Sequence, residues 1–336
     1  MVSYPLVFVD EPEAFLHPPQ AFQLGRVLGQ LAQETRTQIV LATHDRSLLA
    51  GLLNSGTDLS VVRLSRQGDT TKASQLPANV LKTLWTDPVL RYSNVLDGLF
   101  HRLVVLAEAE RDCTFFAAAL DYANQVSELE VAPSEVLFVP SHGKHGMERL
   151  ATALHAVGVP VVASPDIDLL NDKQVVKKLV EALGQKWESL ESTYDKATSE
   201  FRTPKQKITL AEAKSGLIGV IDALLKIDGA ALLDSSSREK IQHALRVERS
   251  PWQDLKDFGT LAFKQAPAMA RDLLVGLRVV GIALVEDGEL ERLAPFVFVS
   301  KGPGWLLTAL ELKAHEGINA QSHISRILAA GREVGV

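Results

Sequence analysis

Apolar residues along this chain change their period several times, and each change marks an element. Three short β-rich runs come first, at residues 5–11, 37–44 and 58–66. Between the first two, Phe22, Leu24, Val27, Leu28 and Leu31 recur at helical spacing behind Pro18-Pro19. A first helical turn tolerates proline, because the N–H that proline lacks has no intrahelical partner there. Residues 67–98 are mixed and polar, interrupted by Gly68, Pro77 and Pro88, and read as a boundary. A regular alternation then begins. Strand 102–107 leads to helix 111–124, strand 135–140 to helix 145–157, and strand 160–165 to Asp166-Ile167-Asp168. Such alternation predicts a parallel sheet with helices on both faces. From about 173 to 275 only helical stripes occur: Val175, Val176, Leu179, Val180 and Leu183, then Leu210, Leu217, Ile218, Ile221, Leu224 and Leu225. Strands are predicted again at 279–285 and 296–299. A helical block between strands of one sheet is most simply an inserted domain. No internal repeat is present.

The chain has 336 residues, room for about two or three domains. The pattern divides it into 1–95, an α/β domain formed by 96–175 and 276–336, and a helical insertion at 176–275. An apolar content of 46% fits a folded, globular protein. No apolar span is long enough for a transmembrane helix, and no basic region precedes the first apolar run, as a signal peptide requires. The single cysteine, Cys113, excludes an internal disulfide and a thiolate metal site. A cytoplasmic protein without a membrane partner is expected.

The net charge of −6 argues weakly against nucleic acid, but it is unevenly spread. Residues 96–175 carry 12 acidic and 5 basic side chains, whereas residues 176–275 carry 14 acidic and 16 basic. Bound divalent cations would invert the field of the acidic segment. A solvated acidic surface would give the same count.

The acidic segment contains the most informative residues. Glu108-Ala109-Glu110-Arg111-Asp112 follows the apolar run Leu103-Val104-Val105-Leu106. Asp166-Ile167-Asp168 follows Val161-Val162-Ala163. Two strands therefore deliver carboxylates to their C-terminal ends, where open α/β sheets build their sites. Asp112 falls in a first helical turn, where the helix dipole favours an acid. Asp166 and Asp168, two apart, face one side if the backbone is extended. Four carboxylates without a nearby thiol or imidazole suit hard cations, Mg²⁺ or Mn²⁺, with Ca²⁺ as an inactive substitute. Ser164 could add an oxygen. One of Glu286, Asp287, Glu289 and Glu291 could complete the set.

Two basic features accompany the acids. Lys301 follows Phe296-Val297-Phe298-Val299-Ser300 and precedes Gly302-Pro303-Gly304, a strand-end position from which a lysine can meet an anion. His142-Gly143-Lys144-His145-Gly146 lies between a strand and a helix, where Gly143 lets backbone approach a phosphate and Lys144 adds charge. An exposed turn lysine and an ordinary glycine loop are the plain alternatives. No tyrosine has the setting of a covalent nucleophile, and the histidines lack zinc-ligand spacing.

Near the N-terminus, Leu6-Val7-Phe8-Val9-Asp10-Glu11-Pro12-Glu13 resembles a Walker B strand, and Gln38 to Asp45, including Thr43-His44-Asp45, resembles the histidine switch of ABC-type ATPases. The resemblance gives Asp10 the nucleotide's metal, Glu11 the attacking water and His44 the switch. No Gly-x-x-x-x-Gly-Lys-Ser/Thr occurs to cradle phosphates. The chain is expected to be the C-terminal part, or a half-length relative, of a larger ATPase, with no ATP hydrolysis of its own.

Glu108, Asp112 and the later Asp166-x-Asp168 resemble the Toprim domain, and their combination with an ATPase tail resembles the OLD (overcoming lysogenization defect) family of nucleases. The resemblance spans nearly the whole chain. It implies DNA cleavage by two metals on Glu108, Asp112, Asp166 and Asp168, with Lys301 as basic partner. ATP would be a cofactor only of the full-length protein. A homodimer is expected, and some relatives act beside a UvrD-like helicase in phage defence. One departure is Ala109, where Toprim usually has glycine. Two further functions stay open: a non-catalytic, ATPase-derived module that binds or bridges DNA, and a primase-like nucleotidyl transferase.

Overall fold

The computed structural model describes residues 5–335, apart from 36, 68, 77, 93, 203–205, 208, 225–237, 239–240, 242–247 and 300. The protein is mixed α/β, with parallel sheets and many helices. Near the N-terminus, β1 (Leu6–Asp10) and β2 (Gln38–Ala42) pair in parallel, with Leu6 opposite Gln38 and Asp10 opposite Ala42. The crossover is the helix Pro18–Thr35, which packs on the helix Arg46–Asn54.

The third predicted strand is β3 (Val61–Gln67), and it turns straight back into β4 (Thr70–Leu76). The polar boundary thus contains an antiparallel strand, followed by the helices Ala78–Thr86 and Pro88–Tyr92. Thr70–Leu76 has no apolar alternation, and most of it is exposed. Its ladder to β3, rather than burial, makes it a strand. The guanidinium of Arg63 on β3 donates to the carbonyls of Leu99 (3.0 Å), His101 (2.9 Å) and Gly158 (2.9 Å), tying the hairpin to the following domain.

The central sheet has the order β6-β5-β7, all parallel, from β5 (Leu103–Ala107), β6 (Val136–Pro140) and β7 (Val161–Ser164). All five residues of β5 are fully buried, so both its faces are covered and its sequence is one apolar run. Successive side chains point to opposite faces. Val104 and Leu106 join a core with Leu150, Leu179, Leu190, Leu255 and Leu273. Leu103, Val105 and Ala107 join another with Phe115, Phe116, Trp305, Ile324 and Ile327. The helices Lys173–Ala182, Glu188–Thr198, Pro251–Phe258 and Pro267–Val279 therefore cover one face of the sheet. The helices Glu110–Val126, Pro303–Glu311 and Ile318–Glu333 cover the other.

Two expected strands are not formed. Val279 ends the helix Pro267–Val279, and a turn at Gly281 (φ 86°) reverses the chain. Ile282 to Val285 then runs beside β7 with only two parallel bridges, Ala163 to Ile282 and Asp166 to Val285. Its apolar residues are buried by packing rather than by a full ladder. Residues 296–299 are a loop in which Phe296 and Phe298 remain exposed. The helical segment also carries a short antiparallel pair, Gln206–Lys207 with Glu248–Arg249. Leu225, the last residue of the second helical stripe, lies outside the described residues. Among the described residues no helix is long and apolar enough to cross a membrane.

Candidate metal centre

The ends of β5 and β7 lie side by side because the strands are parallel neighbours, Ala107 opposite Ser164. Glu108 follows β5, and its Oε1 accepts the backbone N–H of Asp166 at 3.2 Å, stitching the two acidic segments together. Ala109 caps the helix Glu110–Val126 but has no side chain able to bond. Asp112 instead reaches back, its Oδ2 accepting the Ala109 N–H at 2.7 Å. Ala109 is extended (φ −140°, ψ 166°), so this turn does not require the glycine usual in Toprim domains.

Asp168 departs from the extended geometry predicted for it. Residues Ile167–Asn171 form a 3₁₀ turn, so the alternation rule of strands does not orient Asp168. Its carboxylate pairs instead with Lys144 (3.8 Å) and Lys256 (3.5 Å). Asp166 has no such relief: among the described residues no cation or side-chain donor pairs with its carboxylate. Burial, and then the charges of Glu108, Asp112, Asp168 and Glu289, push its carboxyl well above the ordinary range. Burial raises Asp112 to about 6, against its bond to Ala109 and the charge of Arg111. Glu108 is also raised, chiefly by burial. Carboxylates crowded and desolvated in this way hold protons or cations.

The later acids separate into two pairs. Glu289 faces the centre, ion-paired with Lys301 and 3.8 Å from Lys256. Glu291 lies 2.7 Å from Arg111, which also reaches Asp112 at 3.7 Å. Glu286 and Asp287 turn to Arg326 at 3.3 and 3.6 Å. Lys301 is half-exposed, in a loop before the helix Pro303–Glu311 rather than at the end of a strand. Ser164 is buried, its hydroxyl 2.9 Å from His323 Nε2. Burial lowers His323 to about 3, so its ring is neutral at physiological pH.

Two glycines shape the loop beside Asp168. Gly143 adopts φ 99°, open to glycine but strained for other residues, and donates its N–H to Glu108 O at 2.8 Å. A Cβ on Gly146 would lie 1.9 Å from Ser141 O, so only glycine lets the helix Lys144–Ala156 start this close to β6. This start puts Lys144 over Asp168. Gly146→Ala is expected to destabilise the fold by about 3 kcal/mol, as overpacking against rigid backbone does. Thermal and denaturant unfolding measure it.

Lys256 and Glu13 were not singled out by sequence reasoning. Lys256 belongs to no motif, and its contacts arise only when the helix Pro251–Phe258 folds over the sheet end. Glu13 is the last acid of Asp10-Glu11-Pro12-Glu13. It is buried, and its Oε1 accepts from the Thr43 hydroxyl at 2.5 Å and from the His44 N–H at 3.4 Å. His44 Nδ1 lies 3.2 Å from Glu11 and 3.8 Å from Glu13. Glu11, Glu13, Thr43 and His44 thus meet at the C-terminal ends of β1 and β2. Asp10 lies at the end of β1 and is exposed.

Among the described residues no three His, Cys, Asp or Glu side chains form a ready-made metal cage. Magnesium rarely uses such cages. It takes one or two carboxylates and completes its octahedron with water and substrate phosphate.

Two known proteins or families resemble parts of the chain. Residues 1–50 match the family described as "AAA domain, putative AbiEii toxin, Type IV TA system". The chain is also similar to the Old nuclease of Escherichia phage P2, with 23% identity over 176 residues. That match covers 51% of this chain and 29% of the phage protein. Together they support an ATPase-like N-terminal segment and a relation to the OLD family.

Proposed function

We propose that the protein is a divalent-metal-dependent DNA endonuclease of the OLD kind, its centre a Toprim-like sheet end with the helical segment 176–275 as an insertion. The observation that carries this reading is Asp166, a half-buried carboxylate with no cation paired to it among the described residues, crowded by Glu108, Asp112, Asp168 and Glu289. A cluster of hard oxygens that its neighbouring lysines and Arg111 neutralise only in part fits divalent cations and no softer metal. The likeness to a protein named a nuclease supports the same chemistry.

Glu108, Asp112, Asp166 and Asp168 would hold Mg²⁺ or Mn²⁺, with Glu289 as the later acid that completes the set and Ca²⁺ as an inactive substitute. Ser164 would contribute only if its hydroxyl remained available beside His323. Two bound cations would supply an activated water and would stabilise the attacking and leaving oxygens of a phosphodiester. Lys301 would face charge that develops on the phosphate. Lys144 would meet a neighbouring phosphate through its ammonium, with Gly143 only shaping the turn, because the Gly143 N–H is already given to Glu108 O. Asp10, Glu11 and His44 would act on ATP only with a phosphate-binding loop from elsewhere. A homodimer and a UvrD-like helicase partner belong to this reading through the family resemblance.

The test uses supercoiled plasmid, the purified chain and each divalent metal, with and without EDTA. Nicking with Mg²⁺ or Mn²⁺ that EDTA and Asp166→Asn both abolish is expected. DNA binding without metal-dependent nicking would leave the non-catalytic module. Primer synthesis from nucleotides would favour the transferase.

A further inference from the structure

Lys256 occupies an unusual place. It comes from the helix Pro251–Phe258, on the face of the sheet covered by the helical segment, yet its ammonium reaches over the acidic end. Its Nζ lies 3.5 Å from Asp168 Oδ2 and 3.8 Å from Glu289 Oε2. Asp168 is also met by Lys144, and Glu289 by Lys301. Among these lysines Lys256 is the one shared by both acids. The side chain is about one-third exposed, so it has room to move. A lysine is a flexible point charge with no lone pair to offer a metal. It therefore occupies carboxylate oxygens that a divalent cation would need, and it cannot share the cation's coordination sphere.

We propose that Lys256 is an exchangeable counter-ion, bridging Asp168 and Glu289 in the metal-free protein and pairing with a DNA phosphate once a divalent cation has taken those acids. The proposal rests on the metal-centre reading above. Its physical basis is competition followed by reuse. Before metal arrives, the ammonium neutralises part of the cluster. After metal arrives, the same ammonium is repelled by the new positive charge and freed beside the substrate path. Metal and DNA binding are then linked through one side chain, and linkage is reciprocal. This assigns the helical segment a direct part in the centre.

The competition makes two opposite effects measurable in the full chain. Lys256→Met removes the competing charge, so Mn²⁺ should bind about tenfold more tightly, measured by calorimetry without DNA. With Ca²⁺ present to prevent cleavage, the same variant should bind a labelled 20-base-pair duplex more weakly. Its log-affinity against log-salt slope should fall by about one. Without Ca²⁺ the slope should match wild type, because Lys256 is then held by the acids. Lys256→Arg should keep Mn²⁺ affinity within about threefold of wild type, since the charge remains. Melting temperature checks that both variants fold.

Unchanged or weaker Mn²⁺ binding in Lys256→Met overturns the proposal. So does an equal loss of salt slope with and without Ca²⁺, which would mark an ordinary phosphate contact. Failure of the underlying reading looks different: wild type itself would bind no Mn²⁺, or Asp166→Asn would leave binding unchanged.

Discussion

Asp166→Asn is expected to abolish DNA cleavage, a fall of at least about a thousandfold, while raising the stability of the metal-free protein. The rate loss follows from the several kcal/mol that cations contribute to a phosphodiester transition state, since each 1.4 kcal/mol is about tenfold. The gain in stability has a separate origin. Asp166 is half-buried among Glu108, Asp112, Asp168 and Glu289, and Lys256 acts on it only from a distance, so its charge is a net cost to the apo fold. Asparagine keeps the shape and removes the charge. Plasmid nicking and thermal unfolding in EDTA measure the two effects. A variant that cleaves normally, or that melts lower in EDTA, would contradict the assignment.

The same crowding sets a pH dependence. Asp112 titrates at about 6 in the folded protein, against an ordinary 3.8. Between those values the folded state keeps a proton that the unfolded chain has released. Stability from this group therefore rises as pH falls from about 6 towards 4, and the cost at neutral pH is roughly 3 kcal/mol. Glu108 and Asp166 are displaced in the same direction. Wild type minus Asp112→Asn, unfolded in EDTA across pH 4–7, isolates the Asp112 share. A difference that falls on acidification would reverse the sign and refute the crowding.

Lys301→Ala should slow cleavage roughly a hundredfold, the usual effect of losing a preorganised charge partner. Its ammonium pairs with Glu289, which keeps Lys256 nearby when Lys301 is removed, so the local fold should survive. DNA affinity should change little, because one phosphate contact among many is a small share of binding. Metal affinity should not fall, because an ammonium is not a ligand. Lys301→Arg keeps charge with altered geometry and should retain partial activity. If Lys301 is only a half-exposed loop residue, the alanine variant will cleave at the wild-type rate at saturating metal.

The elements legible in the sequence were those whose apolar residues form an unbroken run. β5, β6 and β7 stood out as apolar runs between helical stripes, and they meet as parallel neighbours. That adjacency brings Glu108 to Asp166. β4 was not legible because a ladder to β3, not an apolar face, defines it. Residues 279–285 misled for the opposite reason: Ile282, Ala283, Leu284 and Val285 are buried like a strand but make only bridges. Residues 296–299 alternate like a strand but leave Phe296 and Phe298 exposed in a loop. Asp168 read as extended because its two-residue spacing from Asp166 fits a strand, whereas a 3₁₀ turn intervenes. Lys256 left no local trace, since its partners lie far away in sequence.

Arg63 has a mechanical meaning. Its fork grips three carbonyls, two of them just ahead of β5 and the third just ahead of β7. A rigid guanidinium cannot release one acceptor by bending while keeping good geometry with the other two. The hairpin therefore behaves as a riveted bracket instead of a tether. A push arriving from the β1–β2 end through this bracket would be delivered to the roots of the two strands whose far ends carry Glu108 and Asp166. Lysine in its place, with a single point of attachment, would turn the bracket into a swivel.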